Sequence, residues 1–331
     1  MEPLLEVDDL RVRFPVHGGV LLRQIAEVKA VDGVSFSLNR GETLGLVGES
    51  GCGKSTIGRA IVNILYAMNY GVKISGRIVY HHKSRSVDLV SLNHSEMRPF
   101  RADLQMIFQD PYSSLSPRMT VAQIVEEPLA IHARELSRAD RHDRVRWLLE
   151  KVGLTSEHAG RYPHEFSGGQ RQRIGIARAL ATNPRIVIAD EPVSALDVSI
   201  QAQVINLMQD LQQEFGMSYI FIAHDLSVVR HISDRIAVMY LGNIVEIGSA
   251  EQVYREPQHP YSRALLSAVP RPEPKRPRDD RIRLVGDIPT PIRKPSGCAF
   301  RTRCPIVRET CRDAIPPLET RHGRLVACPW V

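Results

Sequence analysis

Gly48-Glu49-Ser50-Gly51-Cys52-Gly53-Lys54-Ser55-Thr56 is the stretch on which the fold turns, because of what stands on either side of it. Thr43 to Val47 (Thr-Leu-Gly-Leu-Val) reads as a short buried strand, and Ser55 to Leu65 reads as a helix. A strand, a glycine-rich turn and a helix form the context a phosphate loop requires. Gly48, Gly51 and Gly53 let the backbone around Ser50, Cys52 and Thr56 close on phosphate oxygens. The following helix aims its unsatisfied N–H groups and positive dipole end at the same anion. Lys54 is expected to reach the β- and γ-phosphates of ATP, and Ser55 to hold Mg2+. A chance cluster of glycines is the plain alternative, and the flanking strand and helix argue against it.

Such a loop needs an acidic element downstream, and Arg185-Ile186-Val187-Ile188-Ala189-Asp190-Glu191-Pro192 supplies one. The apolar run predicts a buried, parallel-type strand that ends in two carboxylates. Asp190 suits a hard, oxygen-seeking magnesium ion. Glu191 can polarise a water for in-line attack on the γ-phosphorus. Two solvated acids closing a strand would be the ordinary reading. The C-terminal edge of an α/β sheet is, however, where such sheets bind ligands. A second anion-binding helix start is predicted at Ser167-Gly168-Gly169-Gln170, directly before the apolar-periodic run Arg171 to Thr182. Alone it would pass for a serine cap with two turn glycines.

Taken together, these motifs resemble those of the ATP-binding cassette family over roughly residues 5 to 260. Phe166 to Gln170 is similar to the family signature Leu-Ser-Gly-Gly-Gln, with Phe in place of Leu at a position that packs rather than binds. Gln109, in Met106-Ile107-Phe108-Gln109-Asp110, matches the glutamine that senses magnesium and lines the seam toward the membrane partner. Ser194-Ala195-Leu196-Asp197 matches the loop that contacts the opposing subunit. His224, after Tyr219 to Ala223, matches the histidine that contacts the γ-phosphate. Phe14 lies where the family stacks an aromatic ring on adenine, although Pro15 to Lys29 is a longer segment than many members have. Outside this order and spacing, a lone Gln or His after a strand would be an ordinary loop residue. The resemblance implies an α/β, RecA-like P-loop core with an antiparallel β subdomain and a helical subdomain. It also implies ATP sandwiched between the signature of one subunit and the phosphate loop of another.

Composition agrees. The 331 residues are 43% hydrophobic and 24% charged, enough to bury a sizeable core. No stretch approaches the ~20 apolar residues of a membrane helix, and Met1 to Glu6 lacks the pattern of a secretory signal. A cytoplasmic chain, peripheral to the inner face of the cell membrane, is the expectation. The net charge of +6 comes without a basic repeat or aromatic ladder, so no nucleic-acid partner is expected.

Along the chain, Leu4 to Leu38 predicts strands, and a β-rich stretch follows the phosphate loop as far as Gln109. Pro111 to about Glu165 turns helical and charged, with Val145, Leu148, Leu149 and Val152 on one face of Arg138 to Val152. That insert resembles the family's helical subdomain (about 111–166), which docks on the transmembrane partner. The domains are read as a nucleotide-binding domain over 1–262 and an extension over 263–331, the latter entered through the basic, proline-rich Pro270 to Arg278.

Cys298, Cys304, Cys311 and Cys328 fall in that extension, with five, six and sixteen residues between them. A reducing compartment argues against disulfides, and the spacing lacks the tight Cys-x2-Cys pairs of zinc ribbons. A 4Fe-4S cluster, zinc and unliganded structural cysteines all stay open. Cys52, the fifth cysteine, is read as a small neutral filler.

The extension resembles that of peptide-transporter ATPases at Gly297-Cys298-Ala299-Phe300-Arg301-Thr302-Arg303-Cys304-Pro305 and the later Cys311 and Cys328; some of those carry an iron-sulfur cluster, so the resemblance favours the cluster over zinc and unliganded cysteines. His259-Pro260-Tyr261-Ser262-Arg263-Ala264-Leu265-Leu266 resembles the dipeptide, oligopeptide and nickel importer group. Gln109 to Leu115 followed by Pro117-Arg118-Met119-Thr120 looks more like its F-type ATPase than the D-type companion. This implies one of two unequal ATPase subunits driving peptide uptake, with two membrane permeases and an extracytoplasmic solute-binding protein. Nickel or another solute, or export, are the alternative cargo readings. DNA-repair and translation-type cassettes stay open as other classes, with the short insert arguing against the first and the single phosphate loop against the second.

Overall fold

The computed structural model describes residues 3–18, 23–68, 71–82, 85–269 and 282–331, so the linker at Pro270 to Arg278 lies outside the described residues. In chain order the strands and helices are β1 (Pro3–Gly18), β2 (Arg23–Asn39), β3 (Thr43–Val47), α1 (Lys54–Ile61), α2 (Leu65–Met68), β4 (Lys73–His82), β5 (Arg85–Asp88), α3 (His94–Met97) and β6 (Leu104–Ile107). They continue with α4 (Pro111–Ser114), α5 (Val121–His132), α6 (Arg138–Lys151), α7 (Gly168–Leu180), β7 (Ile186–Asp190), α8 (Val198–Phe215) and β8 (Ser218–Ile222). Last come α9 (Leu226–Ile232), β9 (Arg235–Tyr240), β10 (Asn243–Ser249), α10 (Ala250–Arg255), α11 (Pro260–Ser267), β11 (Glu319–Arg321) and β12 (Arg324–Val326). Two compact units result: one holds the chain up to Leu38, Thr43–Ser91 and Ala223–Val331, the other Asn39–Glu42 and Leu92–Ile222.

The first unit contains an antiparallel sheet in the order β2-β1-β4-β5 and a run of strands in the order β11-β12-β10-β9-β3. β3 pairs parallel to β9, from Leu44 opposite Arg235 to Val47 opposite Val238. All five residues of β3 are buried, as expected of a parallel strand covered on both faces. Pro15 to Lys29 forms no separate loop domain: its described residues continue β1 and β2 as a ribbon. The helix expected over Ser55 to Leu65 stops at Ile61. Asn63 turns left-handed at φ 53° and its side-chain amide donates to the Leu89 carbonyl at 3.1 Å, so α2 starts afresh. That local hydrogen bond competes with the helix ladder.

In the second unit β6, β7 and β8 are parallel neighbours, again without an exposed residue in β7 or β8. The helices sit around them. α6 buries Val145, Leu148 and Leu149 while most of its charged residues are exposed, and α5 runs through Pro128. Ser137 starts α6 with a capping box, Asp140 N–H to Ser137 Oγ at 3.2 Å, which satisfies orphan donors of the first turn.

The C-terminal residues do not build a core of their own; they share that of the first unit. β12 pairs antiparallel to β10, with Val326 opposite Glu246. Phe300, 1% exposed, packs its ring 5.2 Å from Tyr240, 5.4 Å from Tyr261 and 5.8 Å from His259. Beneath lies a buried ion pair. Arg324 donates from Nη1 to Glu246 Oε1 at 3.4 Å and to the carbonyls of Gln252 (2.8 Å) and Glu256 (2.7 Å). Glu246 also accepts the N–H groups of Gln258 and His259 at 3.0 and 2.9 Å. Burial lowers the His259 pKa to about 3, so this imidazole stays neutral and its Nδ1 accepts the Tyr261 N–H at 3.1 Å. Glu246→Ala would strand the Arg324 charge and is expected to cost roughly 3–5 kcal/mol in equilibrium denaturation. Replacing the pair together, Glu246→Leu with Arg324→Met, should cost much less.

Candidate nucleotide site

The loop that links β3 to α1 is shaped by two glycines that leave no room for a side chain. A Cβ on Gly48 (φ 153°) would lie 2.2 Å from the Met239 carbonyl oxygen, and one on Gly53 (φ 109°) would lie 2.2 Å from that of Ala30. The strands β9 and β2 therefore wedge the loop from both ends. Gly51, also at positive φ, has open space around it. Lys54, 4% exposed, donates from Nζ to the Gly48 carbonyl at 2.8 Å and the Glu49 carbonyl at 3.1 Å. Cys52 is buried beneath, and burial pushes its thiol pKa up, which keeps it neutral and unreactive.

Three further contacts clasp this loop. Gly242 N–H donates to the Cys52 carbonyl at 2.8 Å. Glu49 N–H donates to the Tyr261 hydroxyl at 2.9 Å. Arg303 Nη1 bonds both carboxylate oxygens of Glu49, at 3.1 and 3.3 Å. None of these three partners was singled out as a site residue from the sequence, because they stand far from the loop along the chain. The one available signal was Glu49 itself, an acid inside a loop read as an anion cradle.

In the second unit the strand β7 ends at Asp190, a carboxylate 1% exposed. Glu191 follows with φ 46°, a left-handed conformation rare for a non-glycine residue and concentrated at functional sites. Its N–H donates to the Ile222 carbonyl at 2.9 Å, and Gln109 Nε2 donates to its Oε2 at 3.0 Å. Gln109, Asp190 and Glu191 are thus brought together, 82 residues apart in the case of the hydrogen-bonded pair.

The second predicted helix start is realised three residues earlier than the apolar periodicity indicates. Ser167 caps α7 in a capping box: its Oγ accepts Gln170 N–H at 3.4 Å and its own N–H donates to Gln170 Oε1 at 3.0 Å. Phe166 is buried at 5% exposure with its ring edge-on to His158, so it packs. Gly168 and Gly169 lie against the start of α8. A Cβ on Gly169 would meet Ile200 at 2.7 Å, and one on Gly168 would meet Leu196 at 3.5 Å. Asp197, the N-cap of α8, is exposed, and Val198 beside it is 82% exposed. Phe14 lies on β1 just beyond the last pair with β4, and His224 is exposed ahead of Asp225, which caps α9.

The four cysteines of the C-terminal extension line one small pocket together with Phe300, Ile306 and Trp330. Gly297 (φ 62°) permits it: a Cβ there would lie 2.3 Å from the Cys311 carbonyl, which accepts the Cys298 N–H at 2.9 Å. Burial raises the pKa of the Cys298 and Cys328 thiols and moves that of Cys304 to about 11, with neighbouring thiols adding to the effect. Among the described residues, no three His, Cys, Asp or Glu side chains close on a point as one metal ion would require.

Residues 31–194 match the ABC transporter family model, and residues 245–311 match the oligopeptide/dipeptide transporter C-terminal region. The oligopeptide transport ATP-binding protein OppF of Salmonella typhimurium (strain LT2) is 53% identical over 328 residues, covering 98% of this chain and 95% of that protein. The chain belongs to the ABC transporter family. Within it, this cassette is also 50% identical to the dipeptide transport ATP-binding protein DppF of Escherichia coli (strain K12) over 327 residues, 99% of this chain and 94% of the relative. Among solved structures, a dimeric post-hydrolysis state of the ATP-binding cassette MJ0796 bound to ADP and Pi matches with a TM-score of 0.61 at 28% identity. The match covers 74% of this chain and 98% of that one. The cassette match accounts for the α/β P-loop fold expected from the motifs. Gly53→Ala should force the loop away from β2 and lower unfolding stability by about 2–3 kcal/mol or more, from steric overlap and left-handed strain combined. Differential scanning calorimetry checks it.

Proposed function

We propose that this chain is the ATP-hydrolysing subunit of a peptide importer, and that the placement of Glu191 carries the reading. A carboxylate fixed in a left-handed backbone and held by Gln109 at 3.0 Å is oriented in advance. Pre-orientation of this kind suits a general base. Phosphates enter the cradle of Gly48, Ser50, Gly51, Cys52, Gly53, Lys54, Ser55 and Thr56. Lys54 exchanges the loop carbonyls it now holds for phosphate oxygens, and the first N–H groups of α1 donate to the same anion. Ser55, Gln109 and Asp190 offer the hard oxygen donors that suit Mg2+, which when bound neutralises charge on the γ-phosphate. Glu191 takes a proton from the attacking water as the bond to the γ-phosphorus forms and the bond to ADP breaks. His224 contacts the γ-phosphate, and Phe14 supports the adenine.

Ser167, Gly168, Gly169, Gln170 and Asp197 complete a site on a second ATPase subunit, read as a D-type paralogue. The exposed N-terminus of α7 and the bare Val198 beside it support that reading. Tyr112, 69% exposed with Arg171 over its ring at 5.2 Å, follows Gln109 on the face assigned to the permeases. No helix among the described residues is long and apolar enough to cross a membrane. A peripheral position under two permeases on the cytoplasmic face, fed by a solute-binding protein, is therefore the assembly proposed. The domain division at 262/263 belongs to the same reading.

The four-cysteine pocket supports a 4Fe-4S cluster over zinc. A cluster would take one thiolate on each of four irons and so would hold its thiolates farther apart than one ion does; four thiols share this pocket, while no three ligand side chains among the described residues close on one point. Cys298, Cys304, Cys311 and Cys328 would be its ligands, and when bound it would cross-link three segments of the extension.

Glu191→Gln should keep ATP binding but lower hydrolysis by roughly two to four orders of magnitude, measured as phosphate release from the reconstituted ATPase pair. Turnover at the unsubstituted rate would remove Glu191 from the role of base. Iron and sulfide near four per chain, with a broad absorption near 400 nm in protein purified anaerobically, are expected of the cluster. Zinc alone, or no metal, would sink it and leave the ATPase reading intact.

A further inference from the structure

Glu49 places a carboxylate inside the phosphate loop, where it opposes the charge of the ligand the loop is read to bind. Its answer comes from the far end of the chain: Arg303 engages both carboxylate oxygens with a side chain only 9% exposed, against 26% for Glu49. A pair this shielded from water is screened much less than a surface ion pair. Arg303 is itself held. Its N–H donates to the Phe300 carbonyl at 3.0 Å, and Phe300 is locked between Tyr240, Tyr261 and His259. Tyr261 then takes the Glu49 N–H, so backbone and side chain of the same residue are fixed by the C-terminal part of the molecule.

We propose that Arg303 is a positioning residue for nucleotide binding: by neutralising and restraining Glu49 it lets the phosphate loop accept a triphosphate without repulsion from its own acid. The inference rests on the reading of Gly48–Thr56 as the phosphate loop. It makes ATP affinity depend on a residue adjoining Cys304, so the cysteine-containing extension sets the loop's charge as well as its shape.

The test is equilibrium binding of ATP to the full chain, measured by calorimetric titration, for Arg303→Ala, Arg303→Gln, Arg303→Lys and Arg303→Gln with Glu49→Gln. Arg303→Ala and Arg303→Gln should weaken ATP about tenfold, the scale of one uncompensated unit charge acting over roughly 12 Å at an effective dielectric near 20. Arg303→Lys should recover most of the loss. The double substitution should bind ATP within about threefold of the unsubstituted chain, because the acid that Arg303 answered is gone. If Arg303→Ala fails to fold, Arg303→Gln, which keeps part of the stem and a polar end without the charge, still decides. Arg303→Gln binding within twofold of the unsubstituted chain would overturn the proposal. So would a double variant as weak as Arg303→Gln alone, which would show a packing role only. Lys54→Ala separates the two readings. If it abolishes binding while Arg303→Gln does not matter, only the positioning inference fails; if Lys54→Ala also binds normally, the phosphate-loop reading fails with it.

Discussion

Everything at the nucleotide loop depends on two missing methyl groups. With the carbonyl oxygens of Met239 and Ala30 each 2.2 Å from where a Cβ would stand, the chain at Gly48 and Gly53 runs in direct backbone contact with β9 and β2. This closeness turns a flexible glycine loop into a rigid one. The freedom that Gly48 and Gly53 would retain in solution is removed by their neighbours, and the start of α1 is aimed with the loop. Lys54 braces the loop from the other side, its ammonium donating to the loop's own carbonyls. Its buried charge is thereby kept bonded.

Strain and capping divide the labour in the second unit. Glu191 holds an unfavourable backbone angle, stabilised by β7, by the Ile222 carbonyl and by Gln109, so the surrounding sheet supplies what the local chain would refuse. At α7 the balance is reversed. Ser167 and Gln170 satisfy one another, and the helix end is stable alone. Gly169 is small because Ile200 of α8 passes close by.

Much of this was legible in the sequence, and for a physical reason: the phosphate loop, the acid pair after β7 and the helix start at Ser167 are local, each set by a few consecutive residues. β3, β7 and α6 came out where their apolar runs placed them. What the sequence hid was either a competition or a distance. The helix after the loop stops early because the amide of Asn63 prefers the Leu89 carbonyl. Arg303, Tyr261 and Gly242 were invisible because their significance lies in a partner some two hundred residues away, which no local pattern encodes. The cysteines could be seen to belong together, yet their shared pocket depends on Gly297 and the ring of Phe300.

The pairing of β12 with β10 also bears on how this molecule behaves in a crowded solution. A seven-residue strand such as β10, left at the margin of its sheet, would offer a row of unsatisfied backbone donors and acceptors to any neighbouring chain. Three residues of the extreme C-terminus occupy that margin, and the strand beyond them, β11, is equally brief. The exposed edge is thus shortened to a length at which strand-to-strand association between copies has little to grip. The C-terminal extension acts on the sheet through its backbone, apart from its thiols.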